Sequence, residues 1–269
     1  MTSEVRGEGL ATYLAAWQRG GESRRAVVAA LSRERWEAWG PGLLAQGREG
    51  RRLAAAVLGE WDGEPELALA QLRGLAGDPD RRTRELAAQA AGAWLARAFA
   101  DTYPILGMWR GDPQPWVRRA VPLAVAAGAR PEHLEWADPL LRLLEPLLSD
   151  RAPEVKTTLG PRVLARHLSS LYPEDTFEQL AYWSTSYDEQ VLWHVAWALS
   201  GPAAARRARR ALILLRKLAL DERRYVRGAV ASAVRQLGRL APDPVLAELK
   251  AWLGDERRAP VARAALRGL

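Results

Sequence analysis

One phrase recurs along this chain and restricts what it can fold into. It is an acid at a turn, four variable residues, then an apolar position followed by a basic one. It reads Asp78-Pro79-Asp80-Arg81-Arg82-Thr83-Arg84, then Asp112-Pro113-Gln114-Pro115-Trp116-Val117-Arg118, then Asp150-Arg151-Ala152-Pro153-Glu154-Val155-Lys156. It returns as Asp221-Glu222-Arg223-Arg224-Tyr225-Val226-Arg227 and, less cleanly, as Asp255-Glu256-Arg257-Arg258-Ala259-Pro260-Val261. These aspartates stand 34, 38, 71 and 34 residues apart. The 71 is two periods, and the missing copy lies in Ser186-Tyr187-Asp188-Glu189-Gln190-Val191. A period of about 35 residues with two helices per unit is the mark of an α-solenoid.

The physics of one unit is readable. An aspartate at the turn can cap the orphan N–H groups of the second helix and complements its positive end. Apolar residues then recur at helical spacing, as in Val226, Ala229, Val230, Ala233, Val234 and Leu237. Alanine and leucine dominate and β-branched runs are absent, so strands have no foothold. The units are expected at about 65–100, 102–130, 136–171, 173–200, 203–240 and 243–269. Pro122 and Pro161 fall inside second helices and should kink them or force a late start. Residues 1–62 are helical too, with Trp17, Leu31, Trp36 and Trp39 on apolar faces, but match the phrase poorly and read as an atypical cap. No linker divides the chain. The expectation is a single all-α domain over 1–269, a right-handed α-solenoid that is C-shaped with a basic concave surface.

Charge narrows the partner. The chain holds 39 basic and 32 acidic residues, and only Lys156, Lys217 and Lys250 among the bases are lysines. A GC-rich genome is one source of such a bias; the other is phosphate recognition, for which the planar arginine fork is well suited. Arginines and lysines collect at the starts of the second helices: Arg81, Arg82 and Arg84; Arg118 and Arg119; Lys156, Arg162 and Arg166; Arg223, Arg224 and Arg227; Arg257, Arg258 and Arg263. In stacked repeats, equivalent positions line one surface. Pairing with the repeat's own aspartates could absorb the arginine that follows the apolar position. It cannot absorb the surplus in 201–240, where 11 bases meet two acids. A phosphate-binding surface accounts for that surplus better.

Several function classes drop out. There is no cysteine, hence no disulfide, thiolate nucleophile or Cys-based zinc site, and three histidines make a His-rich metal site improbable. The uncharged stretch Gln190–Ala205 is too short and too broken by Gly201-Pro202 to cross a membrane. Residues Met1 to Glu8 carry acids and no apolar core, unlike a signal peptide, so a cytoplasmic location is expected. No dinucleotide, P-loop or Gly-x-Ser-x-Gly motif is present. His194, between Trp193 and Trp197, reads as a hydrogen-bonded core histidine; Glu174-Asp175 reads as helix capping; His133 with Glu132 and Glu135 is a poor metal site. With 12 tryptophans, most belong in the core, and enough remain for a base-stacking wall.

The repeated phrase resembles the HEAT repeat. A more specific run begins at Trp109-Arg110-Gly111-Asp112 and Trp116-Val117-Arg118-Arg119, continues through Gly128-Ala129-Arg130-Pro131 and Trp136, and ends at Tyr182-Trp183 and Trp193-His194-Val195-Ala196-Trp197. Over about residues 100–215, with generic HEAT repeats on both sides, this order is similar to the HEAT-like DNA alkylation-repair glycosylases. The resemblance implies a monomer that clasps damaged duplex DNA and, in active members, releases N3- or N7-alkylpurines without cofactor or metal. A carboxylate and aromatic faces would stabilise the departing cation. On this resemblance Trp109 and Asp112 are the catalytic candidates. Trp116, Trp183 and Trp193 are aromatic contacts. Arg118 and Arg119 are phosphate contacts on the same resemblance, while Arg84, Lys156, Arg162, Arg166, Arg223, Arg224 and Arg227 are DNA contacts on their repeated positions at the second-helix starts. The family's acids are mostly missing: one branch's position is Pro113 here and the other's is Ala127. Base excision is therefore expected to be weak or absent, and a non-enzymatic, protein-binding HEAT scaffold is the alternative.

Overall fold

The computed structural model describes residues 3–268, with side chains from Gly9 onward, so the reading of Met1–Glu8 lies outside the described side chains. Among the described residues the chain is all-α, without a strand. It falls into two compact units, 1–129 and 130–269, and each is described by itself.

In the N-terminal unit the helices are α1 (Ser3–Arg19), α2 (Gly21–Leu31), α3 (Trp36–Ala45), α4 (Gly47–Glu60), α5 (Pro65–Ala76), α6 (Arg81–Arg97), α7 (Phe99–Trp109) and α8 (Pro115–Gly128). The expected hairpins are α5–α6 and α7–α8. Their second helices pack on one another, α6 against α8, and their first helices do the same, α5 against α7. α7 starts at Phe99, earlier than the expected 102, because α6 ends at Arg97 and leaves only Ala98 between the two. The segment read as an atypical cap contains a further pair, α3 and α4, and α4 packs on α6. It lacks the phrase because no aspartate makes its turn; the chain turns through Gly47 at φ 63°, a left-handed conformation that favours glycine. Trp17, Leu31, Trp36 and Trp39 are buried there.

In the C-terminal unit the helices are α9 (Ala137–Leu144), α10 (Pro153–Thr158), α11 (Ser169–Leu171), α12 (Pro173–Trp183), α13 (Glu189–Ala198), α14 (Pro202–Arg206), α15 (Ala208–Leu218), α16 (Arg224–Leu240), α17 (Pro242–Leu253) and α18 (Ala259–Leu266). Leu159–Leu168, between α10 and α11, is π-helical. Pro161 lies within it. With no N–H to give and a ring that clashes with the preceding turn, Pro161 is incompatible with an unbroken α-ladder, and the widened turn accommodates it. Pro122, by contrast, sits inside α8, which starts ahead of it at Pro115. The π segment packs on α13, α13 on α16 and α16 on α18, while α15 packs on α17 in the other layer.

The turn chemistry is uniform and differs from expectation in one respect. Asp78, Asp112, Asp150 and Asp221 do not cap the helix themselves. Each accepts, through Oδ1, the N–H two residues on, at 2.7 Å from Asp80, 2.8 Å from Gln114, 2.8 Å from Ala152 and 2.9 Å from Arg223. That residue is the N-cap, so the aspartate fixes the turn that delivers the chain into the helix. Asp255 makes the same bond to Arg257, at 2.9 Å. In the missing copy Ser186 does this work, its Oγ accepting the Asp188 N–H at 3.1 Å, and Asp188 is the N-cap. The apolar position that follows, occupied by Thr83, Val117, Val155, Val191 or Val226, is buried in these five copies, whereas in the Asp255 copy Pro260 is exposed and Val261 is buried.

Candidate functional site

The turns of the N-terminal unit consume the residues that were expected to face DNA. Arg84 is buried: its Nη1 donates to the carbonyls of Asp78 and Pro79 at 2.7 and 2.9 Å, and its guanidinium lies 3.9 Å over the Trp116 ring. Arg118 folds back in the same way onto the Asp112 carbonyl at 2.8 Å, and Arg119 is buried with its guanidinium 5.7 Å from the Trp116 centroid. Arg84 and Arg118 are thus corrected from phosphate contacts to braces of the turns, and Arg119 to a buried neighbour of the Trp116 ring. Arg84 and Arg118 bond backbone carbonyls of their turns, and Arg51 and Arg73 from other helices meet the carboxylates of Asp78 and Asp112.

The two catalytic candidates are corrected for a related reason. Trp109 is 2% exposed and Asp112 5%. One Asp112 oxygen takes the Gln114 N–H, and the other takes the Arg73 Nε–H at 2.7 Å and an Nη2–H. A carboxylate with both oxygens committed and a guanidinium beside it has little negative charge to offer a developing cation. Trp109, Asp112 and Arg73 line, with Ala70, Ile105 and Met108, a hollow of about 480 Å³ in the α5–α7 layer. Trp183, the expected opposing wall, is likewise 2% exposed.

The C-terminal unit assembles a different cluster. Lys156 comes from the first turn of α10, Trp193 and Trp197 from α13, and Arg224 and Tyr225 from α16. Tyr225 stands four residues after its turn aspartate, the register Trp116 occupies in its own copy. The Trp193 and Tyr225 rings are nearly parallel, at 17° and 6.5 Å between centroids, and Trp197 lies 5.8 Å from Trp193. The Lys156 ammonium sits 5.0 Å from the Trp193 ring and 4.8 Å from the Tyr225 ring, and it donates to the Tyr225 hydroxyl, which donates to Gln190 Oε1 at 3.0 Å. Trp193, Trp197 and Tyr225 are half-buried, and with Arg224 and Gly228 they line an open hollow of about 510 Å³. Arg162, Arg166 and Arg224 are exposed, the first two on the π segment that packs on α13. Arg227 is half-buried and its charge acts on Asp221. Arg223 is corrected: it closes on Asp221 through Nη2 at 2.6 Å and donates to the Tyr187 carbonyl, and the Arg223 hydrogen bond holds the Asp221 carboxyl below its usual range.

Beneath this surface His194 is fully buried, packed edge-on to Trp193 and so close to Gly160 that a Cβ on that glycine would lie 2.7 Å from Nδ1. Burial, seconded by the Lys156 charge, pushes its pKa down to about 3. The expected burial is present. The expected hydrogen bond is not, since neither ring nitrogen has a partner among the described residues. Glu174 opens α12 and holds Arg207 and Arg210, and His133 bonds Glu135 at 2.7 Å while stacking on Trp136. Among the described residues no group of three or more His, Asp or Glu is placed to hold a metal ion. No helix among the described residues is long and apolar enough to cross a membrane.

Sequence missed Trp197 and Tyr225 as members of the cluster. The aromatic residue four after the turn aspartate was the available signal for Tyr225. No protein-family model matches the chain, and no curated protein matches it. Among solved structures it matches the crystal structure of an engineered protein from the Northeast Structural Genomics Consortium at 18% identity, with 95% of this chain and 77% of that chain covered and a TM-score of 0.35. A second engineered protein from the same consortium matches at 17% identity, with 82% and 92% covered and a TM-score of 0.28.

Proposed function

We propose that this chain is a HEAT-like repeat protein that binds duplex DNA without cutting it, and that the α10–α13–α16 layer of the C-terminal unit is the binding face. One observation carries the reading: half-exposed aromatic faces (Trp193, Trp197, Tyr225) lie with Arg224 around one open hollow, beside a segment bearing the exposed Arg162 and Arg166. Aromatic rings give nucleobases or sugars a stacking surface, and arginines give phosphates paired donors. The C-terminal unit also holds most of the surplus charge, 22 bases against 17 acids, where the N-terminal unit has 17 against 15. The link to alkylation repair rests on the sequence resemblance alone. Within it, the committed Asp112 and the buried Trp109 favour a member that recognises DNA over one that excises bases.

Binding of this kind follows salt. With about six phosphates neutralised, affinity should fall on the order of a thousandfold between 50 and 200 mM monovalent salt. Titrating a labelled duplex at those two concentrations tests the reading. Absence of binding at the lower one would overturn it and leave the protein-binding scaffold.

A further inference from the structure

The other layer of the C-terminal unit carries a basic feature that the DNA reading does not use. Between α15 and α17 runs a groove of about 1130 Å³, with α14 at one end. Arg209, Ile213 and Arg216 stand at i, i+4 and i+7 on α15, so they share one stripe of that helix. Ile213 is 61% exposed in the middle of the stripe. The arginines around it differ in how far they are committed. Arg207 and Arg210 both hold Glu174, at 2.7 and 2.6 Å, and Arg216 holds Glu248 at 2.5 and 2.6 Å. Arg206 and Arg209 are exposed and make no ion pair among the described residues. Across the groove α17 presents Pro244 and Ala247, which leave room, and the carboxylates of Asp243 and Glu248.

These features select a ligand class. A phosphate backbone repeats its negative charge at every step, has no large apolar side chain to cover Ile213, and would bring that charge past the Asp243 carboxylate on α17. An acidic peptide can place carboxylates toward Arg206 and Arg209, cover Ile213 with a leucine, and leave an uncharged edge along α17. We propose that the α15–α17 groove docks an acidic, amphipathic segment of a partner protein, with an apolar anchor on Ile213 and carboxylates on Arg206 and Arg209. Arginine beside an exposed aliphatic residue is the composition of an interface core, and the flanking charges set specificity and approach rate. The inference is independent of the duplex reading, because it uses the opposite layer of helices and other residues.

The test uses the full chain and a labelled peptide of about 15 residues with glutamates and leucines on one helical face. A control peptide has its leucines replaced by serine. Fluorescence anisotropy at 50 mM salt compares the wild type with Arg206→Glu/Arg209→Glu and with Ile213→Ser, all exposed positions, with far-UV circular dichroism confirming the fold. The leucine-bearing peptide should bind, the double charge reversal should weaken it at least about tenfold, and Ile213→Ser should weaken it severalfold. The serine control should bind as weakly as the leucine peptide does to Ile213→Ser, and duplex affinity should not respond to Ile213→Ser. Failure of the leucine peptide to bind, or equal binding of the two peptides, overturns the proposal. So does displacement of the peptide by duplex together with indifference to Ile213→Ser, which would make the groove a phosphate contact.

Discussion

His194 carries a consequence for stability that its surroundings fix. An unfolded chain protonates histidine near pH 6.5, while burial keeps the folded ring neutral down to about 3. The unfolded state therefore binds the extra proton first as pH falls. Stability from this group is complete above about 6.5 and is lost progressively between there and 3, by up to about 1.4 kcal/mol per pH unit. Urea midpoints at pH 7 and 5 should fall for the wild type and fall measurably less for His194→Leu; equal slopes would show that His194 does not govern the response. Asp112 gives a second residue-scale expectation. Asp112→Asn keeps an acceptor for the Gln114 N–H and releases Arg73, whose side chain is 54% exposed and can turn to water. The cost should stay below about 1 kcal/mol. Methylated duplex should release no base with either protein, as measured by chromatography of freed purine; release by the wild type that Asp112→Asn abolishes would restore a catalytic role. At this scale the sequence shows that His194 is buried, because Trp193 and Trp197 flank it at helical spacing. It does not show that the ring is unpartnered, since that depends on Gly160 from another hairpin. Nor does it show that Arg84 and Arg118 fold back: an arginine after the buried position can reach solvent or its own turn, and only the carbonyls left open by the aspartate turn decide between them.

Among the elements, the hairpins were the most legible part of the fold, because one chemical device marks each of them. Aspartate at the turn bonds the N–H two residues on, and the sequence repeats that aspartate at nearly constant spacing. Where Ser186 replaces it the phrase fades although the turn persists, and where Gly47 makes the turn the phrase disappears and α3–α4 goes unrecognised. Since a hydroxyl does the turn's work at Ser186, Asp221→Ser should keep the N–H bond to Arg223, whereas Asp221→Ala should cost about 1 kcal/mol more. Urea denaturation of the two variants checks it, and identical stabilities would mean that the turn bond contributes nothing measurable. The π-helical stretch at Leu159–Leu168 was legible only as a disturbance: Pro161 announces that the ladder must break, but how it is rebuilt depends on the packing against α13.

Across the molecule, composition indicated a polyanion-binding protein, and the structure shows how little of the arginine count is available for that work. The regular arginines of the N-terminal unit brace turns, and in the C-terminal unit Arg207, Arg210, Arg216 and Arg223 are held by carboxylates. The account therefore places duplex affinity in a few exposed side chains of one layer, not in total charge. Two triple variants of equal charge loss separate these views: Arg162→Gln/Arg166→Gln/Arg224→Gln, on the candidate face, and Arg25→Gln/Arg33→Gln/Arg48→Gln, exposed in the N-terminal unit. The measurement is duplex affinity by anisotropy at 50 mM salt, repeated over a salt series. The face variant should lose at least about tenfold in affinity and about two to three in the slope of log affinity against log salt, while the control stays within about twofold of the wild type. Equal losses from both sets would contradict the account.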